Sequence, residues 1–211
     1  MKINNIKLYT WGTPNGRKIS ILLEELNMDY SVVEVNINNN EQNHDSFIEI
    51  NPNKKIPVIT FDYENKKNII LCESGAILIF LSTISNKFYS EKIFEKIVID
   101  KWLMFQMSSI GPIFGQTHHF YKFNNGKSKY ATERFLTETK RLYAVMDSHL
   151  SNNSYFANNK YSIADISIFP WIARYSWHGI EIKKFKNINR WFKLITDRDA
   201  VKKGMEIPFL N

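Results

Sequence analysis

The residues best suited to chemistry occupy positions 13–18, with the sequence TPNGRK. They join a short apolar run that predicts a strand to a helix whose apolar residues share one face, Ile19, Leu22, Leu23 and Leu26. Pro14 suits an early helical position and Asn15 is a good cap, so the free N–H groups of the first turn should face a ligand. Because a helix N-terminus lowers the pKa of a thiol, this turn is suited to stabilising a thiolate.

Two further segments offer backbone and charged groups. Pro57 heads an apolar run, where proline is tolerated only at the first position of a strand or at an edge. If the Ile56–Pro57 bond is cis, the backbone groups of Ile56 point outward and can pair with an extended peptide. Ser74 is expected to cap the next helix, whose N–H groups suit a carboxylate, while Glu73 suits an ammonium. The three segments together indicate a site for a small anionic peptide held by its backbone and its two ends.

Hydrophobic periodicity predicts the elements that carry these segments. The chain is expected to form a strand, a helix and a strand by residue 37, then two strands between residues 56 and 71, and a helix from Ser74. A polar linker at 85–91 precedes helices expected at 93–121, 130–150, 162–169 and 188–198. Ser162 and Asp165 have the spacing of a capping box, and Pro170 should kink that helix or end it near Phe169. We therefore expect an α/β domain at residues 1–85 and an all-α domain at residues 86–211.

Composition limits both the chemistry and the partners. The 211 residues include one cysteine, Cys72, so an internal disulfide and a CxxC pair are excluded and thiol chemistry needs a thiol from a ligand. The net charge of +7 comes from basic residues scattered among acidic ones, which is typical of a solvated surface and argues against a nucleic-acid partner. Residues 1–11 alternate in polarity and no stretch is long enough to span a bilayer, so we expect a cytoplasmic protein without membrane contact.

The order of the predicted elements resembles that of a cytosolic glutathione transferase along the whole chain. This resemblance implies a thioredoxin-like N-terminal domain that binds glutathione, an all-helical C-terminal domain and a homodimer. Five stretches are similar to the bacterial nu class, whose members are glutathione-dependent disulfide-bond oxidoreductases. They are residues 13–16 (TPNG) with Lys18, 51–57 (NPNKKIP), 73–78 (ESGAIL), 115–120 (GQTHHF) and 133–135 (ERF).

The resemblance also implies roles for individual residues. By position, the catalytic residues beside the glutathione sulfur are Thr13 and Asn15. Ile56 would pair main chain to main chain with the cysteinyl unit. The remaining glutathione contacts would be Glu73 and Ser74 at the γ-glutamyl end, Lys55 near the glycyl end, and Gln42 and Arg134. His118 and His119 would line the pocket for the second substrate; they are adjacent and no ligand follows at helical spacing, so no metal is expected.

The implied function is the reduction of small or mixed disulfides by two bound glutathione thiols, because Thr13 and Asn15 cannot act as a base or a redox nucleophile. Two alternatives remain open: conjugation of glutathione to a small electrophile, and a noncatalytic regulatory role. Lys54 stands where the class more often has Asn or Gly, and Thr117 replaces a commoner Asn.

Four of these residues also have a purely structural interpretation. Asn15 would then only cap the helix, one of His118 and His119 would be packed between the domains, Cys72 would be an inert buried thiol, and Arg134 would pair with a surface glutamate, Glu133 or Glu138.

Overall fold

The computed structural model describes residues 3–209, which form two compact units. The first unit contains the described residues up to Tyr89 and those from Arg198 onward, and the second unit is Ser90–Asp197. Among residues 3–209, no helix is both long and apolar enough to cross a membrane.

The first unit is built on a four-stranded sheet with the order β2-β1-β3-β4. Its elements up to Tyr89 are β1 Ile3–Thr10, α1 Pro14–Leu26, β2 Tyr30–Glu34, α2 Asp45–Ile48, β3 Val58–Tyr63, β4 Lys66–Cys72 and α3 Ser74–Ser85. β1 and β2 are parallel, whereas β1–β3 and β3–β4 are antiparallel. The central strands contribute fully buried residues such as Leu8 and Ile59, and α1 buries the apolar face predicted for it. The α/β expectation for this part of the chain is confirmed.

β2 is shorter than its alternating pattern predicts. The strand ends at Glu34, and Ile37–Asn39 form a 3-10 turn in place of the expected strand residues. The side chain of Asn36 accepts hydrogen bonds from the N–H groups of Asn38 and Asn39, at 3.0 and 3.3 Å. Local side-chain bonding of this kind competes with the strand ladder and ends β2 early.

The second unit is entirely helical in its regular elements. They are α4 Ile93–Phe105, α5 Gly111–Thr117, α6 Lys129–Leu150, α7 Ile163–Ile172 and α8 Lys186–Thr196. Two π-helical segments, Gln106–Ile110 and His118–Phe123, continue α4 and α5, so residues 93–123 form one uninterrupted run. The single helix predicted there is present, but its π turns were not foreseen. Pro112 has no N–H to donate to the carbonyl one helical turn earlier, and this missing hydrogen bond accounts for the wider, π-helical turn just before α5.

Pro170 does not end α7 near Phe169, which was one of the two outcomes expected for this proline. Ser162 and Asp165 form the predicted capping box, but the helix continues through Pro170 to Ile172. Every residue of α7 is buried. Packing on all sides therefore outweighs the one backbone hydrogen bond that Pro170 removes.

The C-terminal segment differs most from the sequence expectation. α8 ends at Thr196, and a separate helix, α9 Asp199–Glu206, packs against α1 in the first unit. Ser20 Oγ donates to the carbonyl of Gly204 at 2.6 Å, and the Arg198 guanidinium binds both carboxylate oxygens of Glu25 at 2.6 and 2.8 Å. The sequence assigned residues after 197 to the helical domain because their contacts with α1 are far apart in the chain and leave no local pattern. The functional boundary after residue 85 stays a prediction.

Gly204 sets how closely α9 approaches α1. A Cβ built on Gly204 would lie 2.5 Å from the Cα and 2.6 Å from the backbone nitrogen of Ile21. We expect Gly204→Ala to lower the free energy of unfolding by about 1–3 kcal/mol, because helix backbones must separate to admit the methyl group. Gly115→Ala is the matched control, since its nearest neighbour is Trp171 at 3.9 Å. The stability of both variants is measured by their urea unfolding midpoints. Equal midpoints would contradict the view that α9 can approach α1 closely only with glycine at position 204.

Candidate functional site

The turn before α1 is capped by Thr13. Thr13 has an extended backbone, with φ −108° and ψ 159°, and its Oγ1 accepts a hydrogen bond from the N–H of Gly16 at 3.2 Å. Pro14 is the first helical residue, which places Asn15 inside the first turn. The expectation that Asn15 is the cap is therefore wrong, because a cap must precede the first helical residue and Pro14 already has that position.

Because Asn15 is not the cap, its side-chain amide is available to a ligand. Its half-buried side chain forms no hydrogen bond within residues 3–209. Thr13 uses a lone pair of its hydroxyl for the cap and keeps an O–H donor. A hydroxyl donor, an amide donor and a helix N-terminus therefore occur within three residues, and all three favour a negatively charged ligand atom.

Glycine is required at position 16 for the turn to lie close to the end of β1. A Cβ there would collide with Thr10 Oγ1 and would lie 2.6 Å from the carbonyl oxygen of Trp11. The TPNG sequence thus combines a cap, a helix-starting proline, an uncommitted amide and a close backbone contact.

The loop before β3 presents the backbone of Ile56. The Ile56–Pro57 bond is cis. Asn51 is buried and braces the loop, donating to the carbonyl of Lys55 at 2.8 Å and accepting from the N–H of Asn53 at 3.1 Å. Within residues 3–209 neither backbone polar group of Ile56 forms a hydrogen bond. Lys55 is exposed, so this loop offers an open peptide edge beside a cationic side chain.

Lys54 has a left-handed backbone, with φ 57°. Asn and Gly adopt this conformation more easily than lysine. The conformation therefore explains why Asn or Gly is commoner at this position in the class that the sequence resembles, and nothing in the structure explains the lysine itself.

At the start of α3, Glu73 and not Ser74 occupies the cap position. Glu73 has φ 69° and ψ 109°, an uncommon conformation for a non-glycine residue that costs on the order of 1–3 kcal/mol. Ser74 is the first helical residue, and its buried hydroxyl accepts a hydrogen bond from Lys18 Nζ at 3.2 Å. The expected cap at Ser74 is wrong, because Ser74 is already the first helical residue of α3 and Glu73 precedes it at the cap position.

Lys18 is the residue of this region that the sequence analysis left without a role. It is fully buried on α1, and burial lowers the pKa of its amine to about 7, while the charge of Glu73 acts to raise that pKa. A signal was present in the sequence: Lys18 precedes Leu22 by four residues and Leu26 by eight, so it continues the buried face of the helix.

Gln42 lies in the 3-10 turn Glu41–Asn43. Its Oε1 atom is buried and has no hydrogen-bond partner within the described residues. A buried polar atom without a partner is costly, so Gln42 has an unused acceptor.

In the second unit, His118 and His119 have different surroundings. His118 is buried, and its Nε2 lies 2.7 Å from Nε2 of His178, whose Nδ1 lies 2.9 Å from the Tyr143 hydroxyl. Burial, followed by the charge of Arg174, lowers the pKa of His118 to about 4, so the imidazole is neutral at pH 7. This placement favours a packing role for His118, whereas His119 is exposed. Their assignment to a second-substrate pocket stays a prediction.

Arg134 is exposed on α6 and lines an open cavity of about 540 Å³ together with Tyr130, Phe135 and Thr137. Glu138 pairs with Arg141 at 2.6 Å and Glu133 lies 3.9 Å from Lys129. In the part of the chain that the structure describes, Arg134 has no ion pair. The surface pairing considered for this arginine is thus limited to a longer-range effect, in which, after the larger effect of Arg141, the charge of Arg134 helps to lower the pKa of Glu138. The ligand role of Arg134 stays a prediction.

Thr117 is buried and shares a 2.7 Å hydrogen bond with the hydroxyl of Thr139. Its role is thus to join α5 to α6. Among residues 3–209, no group of three or more His, Cys, Asp and Glu side chains has the arrangement of a metal site.

Comparison with known proteins places this geometry in context. A family model for the glutathione S-transferase N-terminal domain matches residues 4–83, and one for the C-terminal domain matches residues 98–199. The Escherichia coli protein named disulfide-bond oxidoreductase YfcG is 36% identical over 198 residues, which are 92% of each chain.

Two solved structures are similar over nearly the whole chain. A glutathione transferase homologue from Lodderomyces elongisporus, with two GSH per subunit, has a TM-score of 0.92 and 35% identity, covering 97% of this chain and 99% of that one. A glutathione transferase from Pseudomonas putida, with one glutathione disulfide per subunit, has a TM-score of 0.87 and 36% identity, covering 97% of this chain and 92% of that one.

The cap at Thr13 makes a direct prediction. Thr13→Val removes the acceptor for the Gly16 N–H and should lower the free energy of unfolding by about 0.5–2 kcal/mol. Thr13→Ser keeps the hydroxyl and should retain most of the wild-type stability. The urea unfolding midpoints of the two variants decide the matter, and a valine variant as stable as the serine variant would rule out a stabilising cap.

Proposed function

The chain belongs to the glutathione S-transferase family, as its sequence motifs indicated, and we propose that it is a glutathione-dependent disulfide-bond reductase. The observation that carries the proposal is the turn at Thr13 and Asn15, which offers donors to a thiolate but contains no thiol. Cys72 is half-buried and packs against the apolar cluster of Val35, Phe47 and Val58. The redox pair would therefore consist of two glutathione thiols.

The first unit offers a group for each part of glutathione. The backbone of Ile56 would pair with the cysteinyl unit, since its polar groups form no bond within residues 3–209. Glu73 would bind the α-ammonium and Ser74 the α-carboxylate of the γ-glutamyl unit. Lys55 would attract the glycyl carboxylate, and Gln42 would contribute its unused acceptor.

The proposed reaction needs no protein nucleophile. One glutathione thiolate attacks a sulfur of the substrate disulfide, the S–S bond breaks, and the leaving thiolate takes a proton. The second glutathione thiolate attacks the glutathione sulfur of the mixed disulfide and releases the other substrate thiolate, which is protonated in turn. Two electrons pass from two glutathione molecules to the substrate, and the products are two thiols and one glutathione disulfide. Thr13 and Asn15 would stabilise the thiolate and not attack themselves.

Names and ligands of the relatives agree with this chemistry. The Escherichia coli relative is named as a disulfide-bond oxidoreductase. The Lodderomyces and Pseudomonas structures contain, respectively, the reduced pair and the oxidised pair that such a reaction would interconvert. We place the reaction in the cytoplasm, where glutathione keeps thiols reduced, with a small disulfide as the second substrate.

We also propose a homodimer. Ile93, Phe94 and Ile97 of α4 are 63%, 80% and 50% exposed. A group of large exposed apolar side chains on one helix is typical of a protein interface.

The activity is tested by reduction of hydroxyethyl disulfide with glutathione. We expect turnover in the wild-type protein and a decrease of about 10- to 100-fold in Asn15→Ala, equivalent to losing a hydrogen bond to a charged atom. Cys72→Ser is the matched control and should retain the wild-type rate, because the thiol is supplied by the ligand.

Other results would identify another function. An inactive Cys72→Ser variant that remains folded would contradict the ligand-supplied redox pair. Activity with an aryl halide and none with disulfides would establish a conjugating transferase instead. A folded protein that binds no glutathione in calorimetry would establish a noncatalytic member of the family.

A further inference from the structure

We propose that Lys18 is a positioning residue for the γ-glutamyl carboxylate of glutathione and acts through the hydroxyl of Ser74. This inference rests on the proposed function and adds to it a group that lies beneath the site and does not itself contact the ligand. It further implies that ligand binding fixes a proton on the Lys18 amine.

The geometry places a buried amine directly behind the candidate carboxylate site. Lys18 has no exposed surface, and its Nζ lies 3.2 Å from Oγ of Ser74, a residue 56 positions further along the chain. The contact joins α1, which carries Thr13 and Asn15 at its start, to α3, whose first residue is Ser74. The two ends of the proposed glutathione site are thus connected by one side chain.

The chemistry of a serine hydroxyl explains what this contact does. A serine oxygen can accept hydrogen bonds and has one hydrogen to donate, whereas a lysine ammonium can only donate. When Lys18 donates to Ser74 Oγ, the hydroxyl is fixed as an acceptor on the α1 side, and its own hydrogen points elsewhere. A carboxylate accepts hydrogen bonds and offers none, so this orientation suits the γ-glutamyl carboxylate.

The charges around Lys18 make it responsive to an anion. Burial lowers the pKa of the amine to about 7, and Glu73, at the cap of α3, is the charged group that acts to raise it among the described residues. The charged groups of two other elements packed on α1 are exposed. α9 contacts α1 through Gly204, and its Asp199–Lys202 ion pair is exposed. On β1, the side chain of Lys7 is exposed as well. A carboxylate bound at Ser74 places a negative charge against the hydroxyl that Lys18 Nζ contacts, and we expect this to favour the protonated amine more than the α-ammonium at Glu73 disfavours it.

The direction of the proton exchange follows from these charges. Above pH 7 the amine of the free protein is largely neutral, so binding of a carboxylate should draw a proton from solvent. At pH 6 the amine is already protonated and binding should take up none. An inert packing role for Lys18 predicts no such dependence on pH.

Calorimetric titration with S-methylglutathione tests the proposal, because this probe has the γ-glutamyl carboxylate but no thiol proton. Titrations at pH 6 and pH 8, each in two buffers of different ionisation enthalpy, give the number of protons exchanged. We expect uptake at pH 8 and none at pH 6 for the wild type, and loss of the uptake in Lys18→Met together with affinity about tenfold weaker at pH 6.

Two further variants separate positioning from general loosening of α1. Lys18→Met should weaken binding little when it is added to Ser74→Ala, because the proposed route through Ser74 is already lost. Ser20→Ala removes another buried polar group of α1 and should leave the proton uptake unchanged. Thermal unfolding verifies that each variant is folded at the titration temperature.

The possible failures are distinguishable. Wild-type protein that binds S-methylglutathione without proton uptake at pH 8 would overturn the role of Lys18 and leave the proposed function intact. Additive effects of Lys18→Met and Ser74→Ala would also overturn it, since the lysine would not then act through the serine. A folded wild-type protein that binds no glutathione derivative would overturn both.

Discussion

The hydrogen bond from the Gly16 N–H to Thr13 Oγ1 fixes where α1 begins, and the candidate site depends on that starting point. If α1 began two residues later, Asn15 would be the cap, its side chain would be committed to the helix N–H groups, and the first turn would face a different direction. Pro14 and Gly16 reinforce the choice, the first by its fixed φ and the second by allowing the turn to lie against the end of β1. A short sequence therefore determines both a helix start and the position of an anion site.

α1 also carries the other constraints of the first unit. Gly204 of α9 packs against Ile21, and Lys18 reaches Ser74 at the start of α3, so the helix is held on two sides by contacts that tolerate little change. A rigid helix presents its N-terminus without reorganisation when a thiolate forms, which is the condition for effective electrostatic stabilisation. Because the turn at Thr13 and Asn15 contains no thiol and Cys72 packs against the apolar cluster of Val35, Phe47 and Val58, this turn is suited to holding a ligand's sulfur and not to supplying one.

Features set by neighbouring residues could be predicted from the sequence, and features set by distant contacts could not. The apolar face of α1, the capping box at Ser162 and the run of helix after residue 93 follow from local spacing. The docking of α9 on α1, the hydrogen bond from Lys18 to Ser74 and the hydrogen bonding of His118 with His178 depend on partners 56 to 184 residues away. The sequence placed the cap two residues too late because Asn15 and Thr13 are both good caps by type, and only the conformation at Thr13 decides between them.

The central claim is that the redox sulfur belongs to the ligand and lies at the start of α1. A crystal soaked with oxidised glutathione tests this most directly, because the sulfur positions are visible in the electron density. We predict one glutathione disulfide with a sulfur within hydrogen-bonding distance of Thr13 Oγ1 or of the Asn15 amide, and with the cysteinyl unit paired to Ile56. A disulfide bound away from this turn, or a glutathione attached covalently to Cys72, would contradict the claim.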